Sequence, residues 1–316
     1  MLAMCVRDQW KVEDLDWSVP RRELPPDVEK RVVQYFTDMA GIELLAAELF
    51  KVQRDRAADP TLRAIFETFV TDEIRHSRVA ARLARHYDSG RHGRYELNVH
   101  LVRFRRHFVD ALRHLTADIA NAYITTGELL LDVALLRSLD DFVDDEMSHQ
   151  AMRLINRDES RHIAVDYYMV EYYASDQFTE WLRAQPKKSP AEVIRGWWSV
   201  ARFISHAAPF FKAVFFEPME LVDPEGRRLI EAFKRVQLLG EKEEVGRRPF
   251  SRFMYALRDT FEHPIAGKIF ARPITRIMGV DPKYIRTLYA PEEAARARRM
   301  SFEELAEDAL QAKYLH

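Results

Sequence analysis

Apolar residues recur at three- and four-residue steps along most of the chain and rarely alternate one by one. That period belongs to helices rather than strands. It predicts long helices over about 27–54, 60–87, 102–136 and 145–175. The interruptions carry helix-boundary chemistry. Pro25-Pro26 closes an arm over 1–26; "RDRAADPT" ends the first helix, with Asp59-Pro60 as N-cap and first-turn residue of the second. "DSGRHGRYELN" reads as a loop and "RSLDDFVDDEMS" as an acidic turn region. Ser189-Pro190-Ala191-Glu192 is a capping box with Pro at the first helical position, opening a fifth helix to about 221. Shorter helices are expected at 224–240, 248–262, 282–289 and 301–313, the last behind a second capping box, Ser301 to Glu304. The expectation is an all-α fold: 27–175 forms a bundle, and 176–316 adds helices packed on it within one structural domain.

Composition narrows the function. The chain has 316 residues, 47% of them hydrophobic, enough for one large core. Net charge is −2, so nothing in the charge balance favours nucleic acid. One cysteine, Cys5, excludes an internal disulfide framework and a cysteine-ligated iron centre within the chain. The opening "MLAMCVRDQWKVEDLDW" turns acidic too soon for a secretory signal, and no run of 18 uncharged apolar residues predicts a transmembrane segment. A cytoplasmic location is expected.

The candidate chemistry lies in a repeat. "DEIRH" at 72–76 returns as "DESRH" at 158–162. Asp, Arg and His are not chosen together for helix stability, yet both copies sit inside helical text. Glu and His at i and i+3 share a helix face, so one carboxylate and one imidazole can meet one metal ion. Two such helices, each facing a helix with one further Glu, make a dinuclear carboxylate site in a four-helix bundle. Antiparallel neighbours bring residues to equal depth when both lie equally far from the connecting loop. Glu43 and Glu73 are centred on residue 58, inside the first break, and Glu128 and Glu159 between 143 and 144, inside the acidic turn. Glu48 and Asp132 are the rivals, with poorer depth or weaker surroundings. Asp72 and Asp158 are placed to orient the His of the opposite helix, and Arg75 and Arg161 to pair with them.

At these residues the chain resembles the ferritin-like diiron-carboxylate superfamily, its doubled D-E-x-R-H being most similar to catalytic subunits of bacterial multicomponent monooxygenases. The resemblance covers about 27–175. It implies Glu43, Glu73, His76, Glu128, Glu159 and His162 as ligands of two Fe ions, with Mn/Fe compatible with the same donors, and it implies O2 activation. The expected function is oxidation of a largely apolar small-molecule or carrier-bound substrate by hydroxylation, desaturation or N-oxygenation. The alternatives are a ferritin-like iron-handling or peroxide-scavenging protein and a non-catalytic helical scaffold. Ala80 stands where tyrosyl-radical reductase subunits carry Tyr, and Ile155 where arylamine N-oxygenases carry an additional His. Thr125, one turn before Glu128, is a candidate pocket residue; its alternative is a hydroxyl bonded back to a helix carbonyl. Without a Cys cluster or a G-x-G-x-x-G fingerprint, electrons are expected from an external ferredoxin or flavoprotein reductase. A homodimer is left open. The fifth helix is rich in aromatics, including Trp197, Trp198, Phe210, Phe211 and Phe215. These are expected mainly in the core, the alternatives being a tunnel wall or contact with a membrane or carrier protein.

Overall fold

The computed structural model describes residues 1–278 and 280–314. The chain is all-α, and no strand occurs among the described residues. A short helix α1 (Leu2–Arg7) precedes α2 (Pro26–Arg56), α3 (Pro60–Tyr87) and α4 (Val99–Leu112). Helix α5 (Ala117–Glu128) runs directly into a π-helical stretch, Leu129–Leu136, and then α6 (Arg137–Val143). Helix α7 (Glu146–Ala174) follows after a residue in the left-handed region, Asp144 at φ 48°.

The ends follow local chemistry. Asp59 accepts hydrogen bonds from the Thr61 and Leu62 N–H groups at the start of α3. Asp145 does the same for Ser148 at the start of α7 and also accepts from the Tyr87 hydroxyl, tying the end of α3 to it. Helix α2 carries Asp27 and Glu29 in its first turn and Arg54 and Arg56 in its last, each favourable to the helix dipole.

The expected third helix, 102–136, is instead two. The chain breaks after Leu112, and α5 starts only at Ala117, so the two pieces can pack on different neighbours. Helix α4 lies against α9 (Pro190–Phe210) and α2, while α5 packs on α7 and α2. Helices α2 and α3 pair along their lengths, and α3 also meets α7. These long helices enclose one apolar core built from residues such as Phe36, Phe50, Phe66, Phe69, Leu83 and Met152. Ala117–Val143 is long and apolar enough to cross a membrane, but 72% of its most apolar window is buried inside the protein.

The remaining elements are α8 (Asp176–Ala184), α10 (Glu217–Val222), α11 (Arg227–Gly240), α12 (Glu243–Gly246), α13 (Pro249–Glu262), α14 (Ala266–Met278), α15 (Pro282–Ile285), α16 (Pro291–Arg299) and α17 (Phe302–Gln311). Both predicted capping boxes, Ser189–Glu192 and Ser301–Glu304, are formed. The helix expected over 282–289 stops at Ile285, and α1, α8, α12, α14 and α16 are additions to the expected set. Helix α11 covers the π stretch and α17 lies along α7.

A last turn after α17 inserts Lys313 beside Asp132, both buried, as an ion pair; Lys313 also donates to Ser160 Oγ at 3.2 Å. Burial pushes the Asp132 carboxyl up to about 6 even though Lys313 pulls it down. Removing the ammonium leaves a buried, unpaired carboxylate. Lys313→Met should therefore cost about 3–5 kcal/mol at pH 8, by the usual penalty for breaking a buried pair. The sign with pH follows: near pH 5 Asp132 is largely protonated and the cost should shrink. Urea unfolding at the two pH values checks this; an equal, small loss at both would show that the pair is not stabilising.

Candidate metal centre

Glu43 comes from α2, Glu73 and His76 from α3, Glu128 from the last residue of α5, and Glu159 and His162 from α7. The structure brings all six together, each at most 3% exposed. Their donor atoms form two groups. Glu43, Glu73, His76 and Glu159 offer atoms within 4.8 Å of one another, and so do Glu73, Glu128, Glu159 and His162. Glu73 and Glu159 belong to both groups, and each group has one imidazole.

Both imidazoles turn Nδ1 inward. His76 Nδ1 lies 3.1 Å from Glu159 Oε1, and His162 Nδ1 lies 3.0 Å from Glu73 Oε1. The outward nitrogens cross between helices: His76 Nε2 is 3.1 Å from Asp158 Oδ2, and His162 Nε2 is 3.4 Å from Asp72 Oδ2. A carboxylate accepts only from an N–H, so each Asp fixes the proton on Nε2 and leaves Nδ1 for the centre. Arg75 bonds to Asp72 and, at 2.7 Å, to Asp158; Arg161 reaches Asp158 at 2.6 Å and Asp72 at 3.5 Å. Each half of the repeat thus orients the histidine of the other.

Two residues in this layer carry no sequence signal. Gln9 donates to Asp72 Oδ1 and accepts from Arg75, and Trp10 Nε1 donates to Asp158 Oδ2 at 2.7 Å. The N-terminal segment is therefore part of the site's wall rather than a free arm. Trp10 stacks near His76, while Phe50 and Phe69 pack on His162, so both rings are shielded from water. Asp166, one turn after His162, is also buried, and its carboxylate has no hydrogen-bond partner.

The rival residues are placed elsewhere. Glu48 is partly exposed and pairs with Lys51 at 2.9 Å, and Asp132 is committed to Lys313. Thr125 donates its hydroxyl to the Asn121 carbonyl at 2.9 Å, the back-bonding alternative, and lines a cavity of about 200 Å³ on the side of α11 and α13.

The donor set fits metal ions. Both oxygens of Glu43, Glu73 Oε2 and Glu128 Oε2 are buried without a hydrogen-bond partner, and Glu73 Oε1 and Glu159 Oε1 face only the inward imidazole nitrogens. Orphaned carboxylate oxygens are costly in a dry core unless a cation meets them. A second acidic cluster, Glu29 with Asp88 and His92, makes the contrast. There Asp88 accepts from the N–H groups of Gly90, Arg91, His92 and Gly93 and from the Tyr95 hydroxyl, and Glu29 accepts from Ser89, so the oxygens are already occupied in shaping a loop.

Without metal, protons balance the charge. Burial, then repulsion among the carboxylates, pushes Glu73 and Glu128 well above the ordinary range, and burial lifts Glu43 to about 7. Burial acts against ionising Glu159, but His162 and His76 outweigh it and hold the group well below. Burial likewise opposes the charged imidazoles, and their carboxylate neighbours overcome it, raising His76 to about 10 and His162 to about 9. No family model, curated protein or solved structure matches the chain.

Metal uptake must displace these protons. At pH 7 calorimetry in buffers of different ionisation enthalpy should show net proton release on Fe(II) binding, and affinity should rise with pH as the imidazoles approach their raised values. Affinity independent of pH between 6 and 9 would contradict this charge assignment.

The depth argument for Glu43 over Glu48 gives a second test. Glu43→Ala should lower Fe(II) stoichiometry by about one ion per chain, because it removes the one carboxylate special to its group. Glu48→Ala should leave stoichiometry unchanged and cost at most about 1 kcal/mol, the scale of a surface ion pair. The reverse pattern in a colorimetric iron titration would move the assignment to Glu48.

Proposed function

We propose that the chain is a non-haem diiron oxidoreductase of the ferritin-like kind, with α2, α3, α5 and its π extension, and α7 as its four-helix bundle. Two Fe ions, or Mn and Fe, would be held by Glu43, Glu73, His76, Glu128, Glu159 and His162. The observation that carries the reading is the pair of donor groups sharing Glu73 and Glu159. Oxygen-rich donors with one imidazole each suit metal ions that change valence, and such a pair supplies the electrons and Lewis acidity for O2 chemistry.

The chain's own residues do the rest. Asp72 and Asp158 hold the imidazole tautomers, and Arg75 and Arg161 offset the two aspartates. Phe50, Phe69 and Trp10 keep water from the rings. A π-helical stretch starts at Leu129, directly after Glu128, and such irregular turns are frequent at functional sites.

Beside Glu128 lies an apolar pocket of about 80 Å³, walled by Ile42, Leu45, Phe104, Phe108, Phe210 and Phe215. It supports oxidation of an apolar group over iron storage, because a hydrated ion gains nothing from aromatic walls. Gly127 lines the pocket, and a Cβ there would meet nothing within 4 Å. The space next to Glu128 is thus open by virtue of a missing side chain. In this reading electrons arrive from a separate ferredoxin or flavoprotein reductase.

Anaerobic loading should give two Fe(II) per chain, and O2 should then be consumed in a single turnover. NAD(P)H alone should not restart it; a reductase with ferredoxin should. Gly127→Leu should keep both ions but lower substrate-dependent O2 uptake at least about tenfold, the effect of filling a pocket that must position its substrate. One ion or none per chain would end the diiron reading, and full activity in Gly127→Leu would end the pocket assignment alone.

A further inference from the structure

Helix α9 does not do what its composition suggests. Its C-terminal aromatics turn inward, with Phe210 buried and Phe215 just beyond it, but Trp197 is 71% exposed, Trp198 64% and Ile194 68%. This corrects the expectation that the tryptophans pack in the core. Helix α14 packs against α9 and leaves Ile269 and Phe270 exposed at 59% and 50%. Large apolar side chains exposed together on neighbouring helices mark an interaction surface.

On the two helices themselves basic residues predominate, while Asp259 and Glu262 are exposed on the neighbouring α13. Helix α9 carries Arg195 and Arg202 against one acid, Glu192, which is used in the capping box. Helix α14, AGKIFARPITRIM, has no acid at all. Arg195, Arg202 and Lys268 are exposed, and none makes an ion pair among the described residues. Arg202 instead lies over the Trp198 ring at 5.4 Å. The chain as a whole is at −2, so this basic surface is a local choice and not a general excess.

We infer that the α9–α14 face docks on an anionic membrane surface. Tryptophan, with an apolar body and one N–H, suits the boundary between head groups and acyl chains, and unpaired Arg and Lys suit anionic lipid. A second copy of the chain fits less well. A two-fold contact would set the same basic residues against each other. The face also backs onto the apolar interior: Phe210 and Phe211 from the end of this helix region line the pocket at Glu128. On the function proposed above, a substrate dissolved in the bilayer would have its reservoir next to the site.

The test needs no turnover, so it stands apart from the diiron reading. The full chain is sedimented with vesicles of phosphatidylcholine alone and of phosphatidylcholine mixed with phosphatidylglycerol. Binding should be at least about tenfold stronger to the mixed vesicles, because each basic residue near an anionic surface adds attraction, and should weaken with salt. Trp197→Glu with Trp198→Glu, at positions that touch little of the core, should abolish binding while circular dichroism and iron stoichiometry stay unchanged. Arg195→Glu with Arg202→Glu should remove the lipid preference. No binding to the mixed vesicles, or equal binding by the tryptophan variant, would overturn the inference. So would a concentration-dependent dimer, or a complex with an acidic protein, that the tryptophan variant dissociates while vesicle binding is absent.

Discussion

Four carboxylates and two imidazoles sit in the driest part of an all-helical core, and much of the architecture answers that one constraint. Isolated buried charge is expensive, and carboxylates that repel one another are more so. The chain meets the cost with two concentric layers. Inside, donor atoms from four helices converge until each oxygen lies near an imidazole or a place for a cation. Outside, Asp72, Asp158, Arg75 and Arg161 are joined by charge-assisted hydrogen bonds into a ring that a 3.5 Å ion pair between Arg161 and Asp72 closes. The ring is reciprocal: each motif's Asp serves the other motif's His. Neither half of the repeat is complete alone, so the packing of α3 against α7 is coupled to the electrostatics of the site.

The flanking segments are recruited by the same need. Gln9 and Trp10 satisfy the outer ring from the N-terminal segment, and Lys313 neutralises Asp132 from the far end of the chain. The segments around Gln9 and Lys313 are thus anchored by polar groups of the core. The apolar helices after α7 then close the space around α5 and its π stretch, leaving a small aromatic pocket at Glu128 and a larger cavity beyond Thr125.

The contrast between two acidic clusters shows how a candidate site is told from loop chemistry. Glu29 and Asp88 look like ligands by composition and proximity, yet backbone N–H groups, two hydroxyls and Arg91 already engage their oxygens. The oxygens around Glu73 and Glu159 have no such donors. The difference lies in where the helices put backbone: a loop offers free N–H groups, and mid-helix positions offer none, because each is already bonded one turn back.

The amino-acid sequence by itself determined which residues would meet at the centre. A helix face is set by spacing, and equal depth in an antiparallel pair is set by distance from the turn, so Glu43, Glu73, His76, Glu128, Glu159 and His162 were legible from position alone, as was the cross-helix role of Asp72 and Asp158. Local capping chemistry likewise determined where most long helices begin. What only the tertiary structure decided involves contacts between distant segments. Gln9 and Trp10, which meet the site, and Lys313, which meets Asp132, lie on no repeating face and arrive through long-range packing. The break between α4 and α5 has Thr116 but no strong breaker, and it lets α4 reach α9 while α5 reaches α7, both resting on α2. The outward turn of Trp197 and Trp198 was also beyond pattern reading, since the helical period says which residues share a side and not whether a neighbour arrives to cover it.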